Sequence, residues 1–136
     1  MTEPARAGET VDILAPISAG ELIDKITILQ IKTERMTDPA KLVNVARELA
    51  ALVALRDSHG LEGIETLTED LKVVNETLWQ VEDEIRELEA EGRFDARFIE
   101  LARAVYATND RRAAIKKEIN LMVGSSIVEE KSYAGS

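Results

Sequence analysis

The stretch Leu67-Thr-Glu-Asp-Leu71-Lys-Val-Val74-Asn-Glu-Thr-Leu78-Trp-Gln-Val81-Glu-Asp-Glu-Ile85-Arg-Glu-Leu88 decides the fold. Its apolar residues return in alternating steps of four and three. After a break around Gly92 the rhythm resumes at Phe98, Leu101 and Val105. It then crosses the polar positions Thr108 and Arg112 and continues at Ile115, Ile119 and Met122. A seam of this kind on two consecutive segments predicts two long helices folded back on each other, a coiled-coil-like antiparallel hairpin over residues 66–123. With the turn near Arg93, facing residues have numbers that sum to about 186. Leu71 is then expected opposite Ile115, Val74 opposite Arg112 and Leu78 opposite Thr108. Asn75 should face Asn109, and Trp79 should touch Tyr106.

Two shorter helices precede the hairpin. Ser18-Ala-Gly-Glu21 reads as a capping box, in which Ser18 and Glu21 exchange hydrogen bonds with each other's backbone. The helix it opens runs to about Met36. Its apolar arc, from Leu22 and Ile23 through Ile26 to Leu29 with Ile28 and Ile31, is wide enough for a helix with neighbours on two sides. Asp38-Pro39 supplies the next N-cap and first helical position, and His59-Gly60 ends that helix. The third helix is expected from Thr66 or Thr68, with Gly92 as its left-handed terminator. Asp95 should cap the fourth, Phe94 and Ile99 should staple its start, and Gly124 should close it. Residues 1–10 read as a flexible arm and 11–136 as a single helical domain. The termini are expected to be short and extended, with the C-terminal tail docked beside Val11–Ile17. The expected fold class is all-α with four principal helices.

Composition narrows the function classes. A chain of 136 residues with 45% hydrophobic and 32% charged residues has the balance of one globular domain. A formal net charge of −9 opposes phosphate backbones and anionic bilayers, so neither a nucleic acid nor a membrane is an expected partner. The absence of cysteine excludes disulfides, thiol catalysis and thiolate metal sites. His59 is the single histidine, which argues against catalytic zinc and histidine triads, and reads as a helix-end residue. No cofactor or metal is expected. The acidic run from Glu82 to Glu91 spreads around its helix as a solvated face. No basic start followed by an apolar run opens the chain, and no stretch approaches the ~20 apolar residues of a bilayer span, so the cytoplasm is the default expectation.

The residues with chemistry fall on one flank of the hairpin. Asn109, Arg112 and Lys116 lie on neighbouring turns of one helical face. Asn75 is expected opposite, and Lys25 or Lys32 would join from the first helix. Arg112 holds a seam position that wants an apolar side chain. Either its stem packs while the guanidinium reaches a carboxylate such as Glu76, Asp110 or Glu118, or it binds an anion with Lys116 and Lys25. The candidate ligand-binding set is Lys25, Asn75, Asn109, Arg112 and Lys116. If Asp24, Glu76 or the Glu129-Glu130 tail neutralises these cations, the cluster is a structural lock instead.

Three blocks carry a family resemblance: Ser18 to Lys32 (SAGELIDKITILQIK), Thr108 to Asn120 (TNDRRAAIKKEIN) and Gly124 to Tyr133 (GSSIVEEKSY). Together they resemble a bacterial family of small proteins of unknown function. The resemblance implies no catalytic residue. It carries only an association with genes for surface-polysaccharide glycosyltransferases.

Two readings follow. The first is a non-enzymatic helical module that works by protein association, as a homodimer or with a protein partner. The surplus of apolar stripes on four amphipathic helices supports it. The second is a small helical binding protein, or a cofactor-free enzyme, that clamps an anionic metabolite with arginine, lysine and asparagine from several helices.

Overall fold

A computed structural model describes residues 10–127, 129, 130 and 132. The chain is all-α: α1 (Ala19–Arg35), α2 (Pro39–Ser58), α3 (Glu65–Ala90) and α4 (Ala96–Val123), with no strand among the described residues. α3 and α4 form the long hairpin. Its seam buries Leu71, Val74 and Leu88 of α3 against Leu101, Ile115 and Ile119 of α4. Leu67, Leu78, Val81, Ile85, Phe98 and Val105 are half-buried along the same seam. The seam stops at Ile119, because Met122, expected in it, is 60% exposed.

The turn follows from backbone chemistry. Gly92 adopts φ 67°, where a side chain would strain the backbone. This lets Arg93 N–H reach the carbonyl of Leu88 (2.8 Å) and Gly92 N–H that of Glu89 (3.1 Å), satisfying carbonyls the helix end would otherwise strand. Asp95 stands at the N-cap of α4 in extended conformation, but its side chain makes no cap bond and accepts from Arg93 at 3.5 Å. The expected staple does not close either. Phe94 and Ile99 are both exposed, and Phe94 packs edge-on to Phe98 with ring centroids 5.1 Å apart. α3 begins at Glu65, with Ile64 at the N-cap position, slightly before the expected threonines. Ile64 is itself buried and plugs the core from the connector.

α1 crosses the hairpin obliquely. Gly20 lies against Lys116 and Asn120 of α4, Thr27 meets Asn75 of α3, and Glu34 pairs with Lys72 at 2.6 Å. Its Ile23 and Ile26 are fully buried with Leu71 and Ile119. Burying each such side chain stabilises the fold by roughly 1.5–3 kcal/mol. The wide apolar arc therefore has its two partners: the hairpin on one side, and α2 on the other. α2 lies along α1 as an outer layer and buries only Val45, although Leu49, Leu52 and Val53 pack at the core's margin. Asp38 caps α2 by accepting from Ala40 N–H at 3.0 Å. His59 stands at its C-terminal cap, with Nδ1 3.0 Å from the carbonyl of Leu55.

No helix among the described residues is long and apolar enough to cross a membrane. Val11, Ile13 and Leu14 are exposed. Among the described residues of the tail, Ser125–Ile127 share a cleft with Ala15–Ile17, the last part of the expected docking segment. The expected flexible arm, apart from Thr10, and Val128, Lys131 and Tyr133 of the tail lie outside the described residues.

Candidate functional site

The polar network begins at a glycine. Gly20, in the first turn of α1, lets the two backbones come together so closely that a Cβ built there would overlap the carbonyl oxygen of Lys116. Its N–H, one of the donors a helix start leaves without an internal partner, goes to Asn120 Oδ1 at 2.6 Å. Ser18 Oγ accepts from Glu21 N–H at 3.1 Å, half of the expected capping box. The other half is absent because the Glu21 carboxylate turns to α4 and pairs with Lys116 at 2.5 Å.

One turn on, Asp24 is 1% exposed. Its Oδ1 accepts from Arg112 Nε at 2.8 Å and from Asn75 Nδ2 at 3.0 Å, while Oδ2 accepts from Arg112 Nη2. Asn75 Nδ2 also donates to Thr27 Oγ1 at 2.9 Å, and Thr27 Oγ1 donates to the backbone carbonyl of Asp24 at 2.8 Å. Three helices thus meet on one carboxylate. Among the described residues no buried side-chain polar atom lacks a partner, as a low-dielectric interior requires.

Burial is the largest influence on the Asp24 carboxyl and opposes its charge. The hydrogen bonds from Arg112 and Asn75, with the charges of Arg112 and Lys116, together outweigh burial and hold it below its ordinary value. The Asp24 hydrogen bond is the main cause that raises Arg112, and Arg112 stays a cation. The bond is a two-pronged guanidinium–carboxylate contact, the strongest geometry for such a pair.

The five candidate residues divide accordingly. Asn75, Arg112 and Lys116 belong to the network, but each is bound to α1. Asn75 does not pair with Asn109, and Arg112 takes Asp24 rather than Glu76, Asp110 or Glu118. Among the described residues Lys25 reaches only Glu21, at 3.6 Å and at the surface. Asn109 is half-buried and makes no side-chain hydrogen bond among the described residues. Lys32 makes no ion pair among them. Tyr106 is 71% exposed, and the expected ring contact with Trp79 is not made. Reading the sequence overlooked Thr27 and Gly20. A threonine inside the run Ile26-Thr27-Ile28 and a glycine in a helical first turn were their signals.

Two clefts border this network, with Arg112 and Asn109 in the wall of each. One, of about 340 Å³, opens between Glu21, Lys116 and Lys117 and is roofed by Glu129 and Glu130 of the tail. The other, of about 490 Å³, lies between α1, α3 and α4, with Ile28, Ile31, Leu78 and Trp79 on its apolar side and Glu82 and Asp83 at its rim. Among the described residues no cluster of histidine, aspartate and glutamate is disposed to hold a metal ion.

The chain belongs to the family of unknown function DUF6165, whose model matches residues 13–136. The match takes in all three sequence blocks and every residue of the network. No curated protein and no solved structure gives a match.

Proposed function

We propose that this member of the family is a non-enzymatic association module that works as a homodimer, paired through the free end of the α3–α4 hairpin. One observation carries the reading: the hairpin outruns the helix that covers it. α3 has 26 residues and α4 has 28, against 17 in α1. At 1.5 Å per residue the hairpin is about 39–42 Å long and α1 about 25 Å. Beyond α1 the two helices have only each other among the described residues, and Phe94 (57%), Ile99 (50%) and Tyr106 stay exposed.

A second copy suits this surface because the two helices differ in charge. The last turns of α3 carry Asp83, Glu87 and Glu89 without an ion-pair partner among the described residues, and α4 carries Arg103 likewise. A two-fold axis that sets α3 of one copy against α4 of the other matches acid to base twice. It also completes a four-helix arrangement over the apolar stripe.

The anionic-metabolite reading is the weaker one. The cations it needs already have carboxylates inside the chain: Asp24 for Arg112 and Glu21 for Lys116. The link to surface-polysaccharide genes enters only as the setting in which such a module would work.

Light scattering tests the proposal. The wild-type chain should have twice the monomer mass at micromolar concentration. Ile99→Asp with Tyr106→Asp should halve that mass and leave helicity unchanged, because both side chains are already half or more exposed. A wild-type chain that stays monomeric, or a dimer indifferent to both changes, overturns it.

A further inference from the structure

The tail bears on a site of its own. Ser18 and Asn120 are 0% and 1% exposed, and each turns a donor outward to the same carboxylate. Ser18 Oγ donates to Glu129 Oε1 at 2.6 Å, and Asn120 Nδ2 to Glu129 Oε2 at 3.5 Å. Asn120 is held in this pose because its Oδ1 accepts the N–H of Gly20. Burial is the largest influence on the Glu129 carboxyl and opposes its charge, but the Ser18 bond, a backbone bond at Glu129, the charge of Lys116 and the Asn120 bond together hold it below its ordinary value. The neighbouring Glu130 pairs with Lys117 at 3.4 Å. One donor caps the start of α1 and the other lies in α4. The acceptor rides on a chain that has left helix at Gly124 and is itself exposed at both glutamates.

We propose that this cleft is a carboxylate-binding site, that Glu129 is its built-in occupant, and that an acidic peptide segment with adjacent glutamates takes the same site when the tail leaves it. Two buried neutral donors form a receptor for a carboxylate by giving it direction. Lys116 is already paired with Glu21 in the same cleft, so the charge left to an incoming segment is that of Lys117. Lys117 lies one residue further along α4 and meets the second carboxylate. The spacing therefore selects two consecutive acidic residues on one backbone over an isolated anion. When the tail is docked, an incoming segment competes with an occupant tethered at high effective concentration. The apparent affinity falls by the fraction of molecules with the site open. The tail is then a strap that sets the threshold for binding. Along α4 the site lies about 27 Å from Ile99 and about 16 Å from Tyr106 of the proposed dimer surface. It does not rest on the association reading.

Fluorescence anisotropy of a labelled peptide of residues 124–132 of this chain tests the site, with full-length wild type and the Glu129→Gln, Glu130→Gln double variant as receptors. Both glutamates are exposed, so the variant keeps its fold, which circular dichroism verifies. The variant should bind the peptide at least about tenfold more tightly than wild type, the ratio expected when the tail is docked nine-tenths of the time. The same peptide with both glutamates changed to glutamine should lose that binding. Lys117→Gln added to the variant should weaken it severalfold. Equal affinity for wild type and variant, no binding to the variant at millimolar peptide, equal binding of the glutamine peptide, or indifference to Lys117→Gln each overturns the proposal.

Discussion

Arg112 of α4 closes on Asp24 of α1 through both carboxylate oxygens, in the part of the hairpin seam where an apolar residue would otherwise sit. Asp24 is almost fully buried and Arg112 partly exposed, at 1% and 29% of their side chains. The guanidinium thus spans from core to cleft. An isolated buried carboxylate would be costly, and Arg112 and Asn75 are what make Asp24 tolerable there. This relationship ties α1, α3 and α4 to one buried carboxylate.

Arg112→Met should therefore destabilise the fold. It leaves a buried carboxylate with Asn75 as its remaining side-chain donor. Breaking a buried pair from one side costs about 3–5 kcal/mol, and the partial exposure of Arg112 points to the lower end. Adding Asp24→Leu should recover much of the loss, because both polar partners are then gone together. Urea midpoints of the two single variants and the double variant measure this. A neutral Arg112→Met would mean that Asp24 does not depend on the arginine.

Asn75→Ala should cost about 1–3 kcal/mol, since it strands Thr27 Oγ1 as an acceptor and removes one donor from Asp24. Asn109→Ala, at a position without side-chain hydrogen bonds among the described residues, should stay within about 0.5 kcal/mol. Thermal melts of the pair separate the two asparagines, which look alike as sequence.

The hairpin was legible because one-face burial writes itself into spacing. Leu71, Val74, Leu88, Leu101, Ile115 and Ile119 were all read from the sequence and are all buried. The cap glycines Gly92 and Gly124 were legible for the same kind of reason, since both adopt positive φ. The network was only half legible. Its members Asn75, Arg112 and Lys116 stood out as polar residues near a seam, and Asp24 was named among possible partners. Which carboxylate each would meet depends on how α1 crosses the hairpin, and local spacing does not encode that crossing. The summed-number rule gives level along the hairpin axis but not direction around it. Trp79 and Tyr106 therefore share a level without touching, and Tyr106 faces outward. Met122 fails similarly, since it turns to the surface beside Gly63, Thr66 and Leu67 instead of into the seam.

Gly20→Ala should destabilise even though alanine is the better helix former by about 1 kcal/mol. The new Cβ would meet the backbone carbonyl of Lys116 and, at 3.0 Å, Asn120 Oδ1. A backbone cannot swing aside as a side-chain tip can, so α1 must shift away from α4. Overpacking of this kind costs about 1–3 kcal/mol. The shift would also lengthen the Gly20–Asn120 bond and loosen the Asp24–Arg112 pair one turn on. Chemical denaturation gives the first effect, and amide exchange at Gly20 gives the second.

Acid should weaken the fold through Asp24. Its folded value lies below its unfolded one, near the ordinary aspartate value of about 3.9. Between the two the unfolded chain binds more protons, so stability rises with pH there. The contribution is complete above the unfolded value and is lost as pH falls through the folded one. Asp24→Asn should flatten this part of the pH profile while lowering stability at neutral pH. Arg112→Met should reverse its sign. Burial is the largest influence on Asp24 and loses only to the combined effect of its partners, Arg112 foremost. Without the arginine, burial should lift the carboxyl above its unfolded value, so that the variant gains stability as pH falls through the raised value. Urea midpoints of wild type, Asp24→Asn and Arg112→Met from about pH 7 to about pH 3 decide it. An Arg112→Met profile parallel to that of wild type would show that burial does not govern the charge of Asp24.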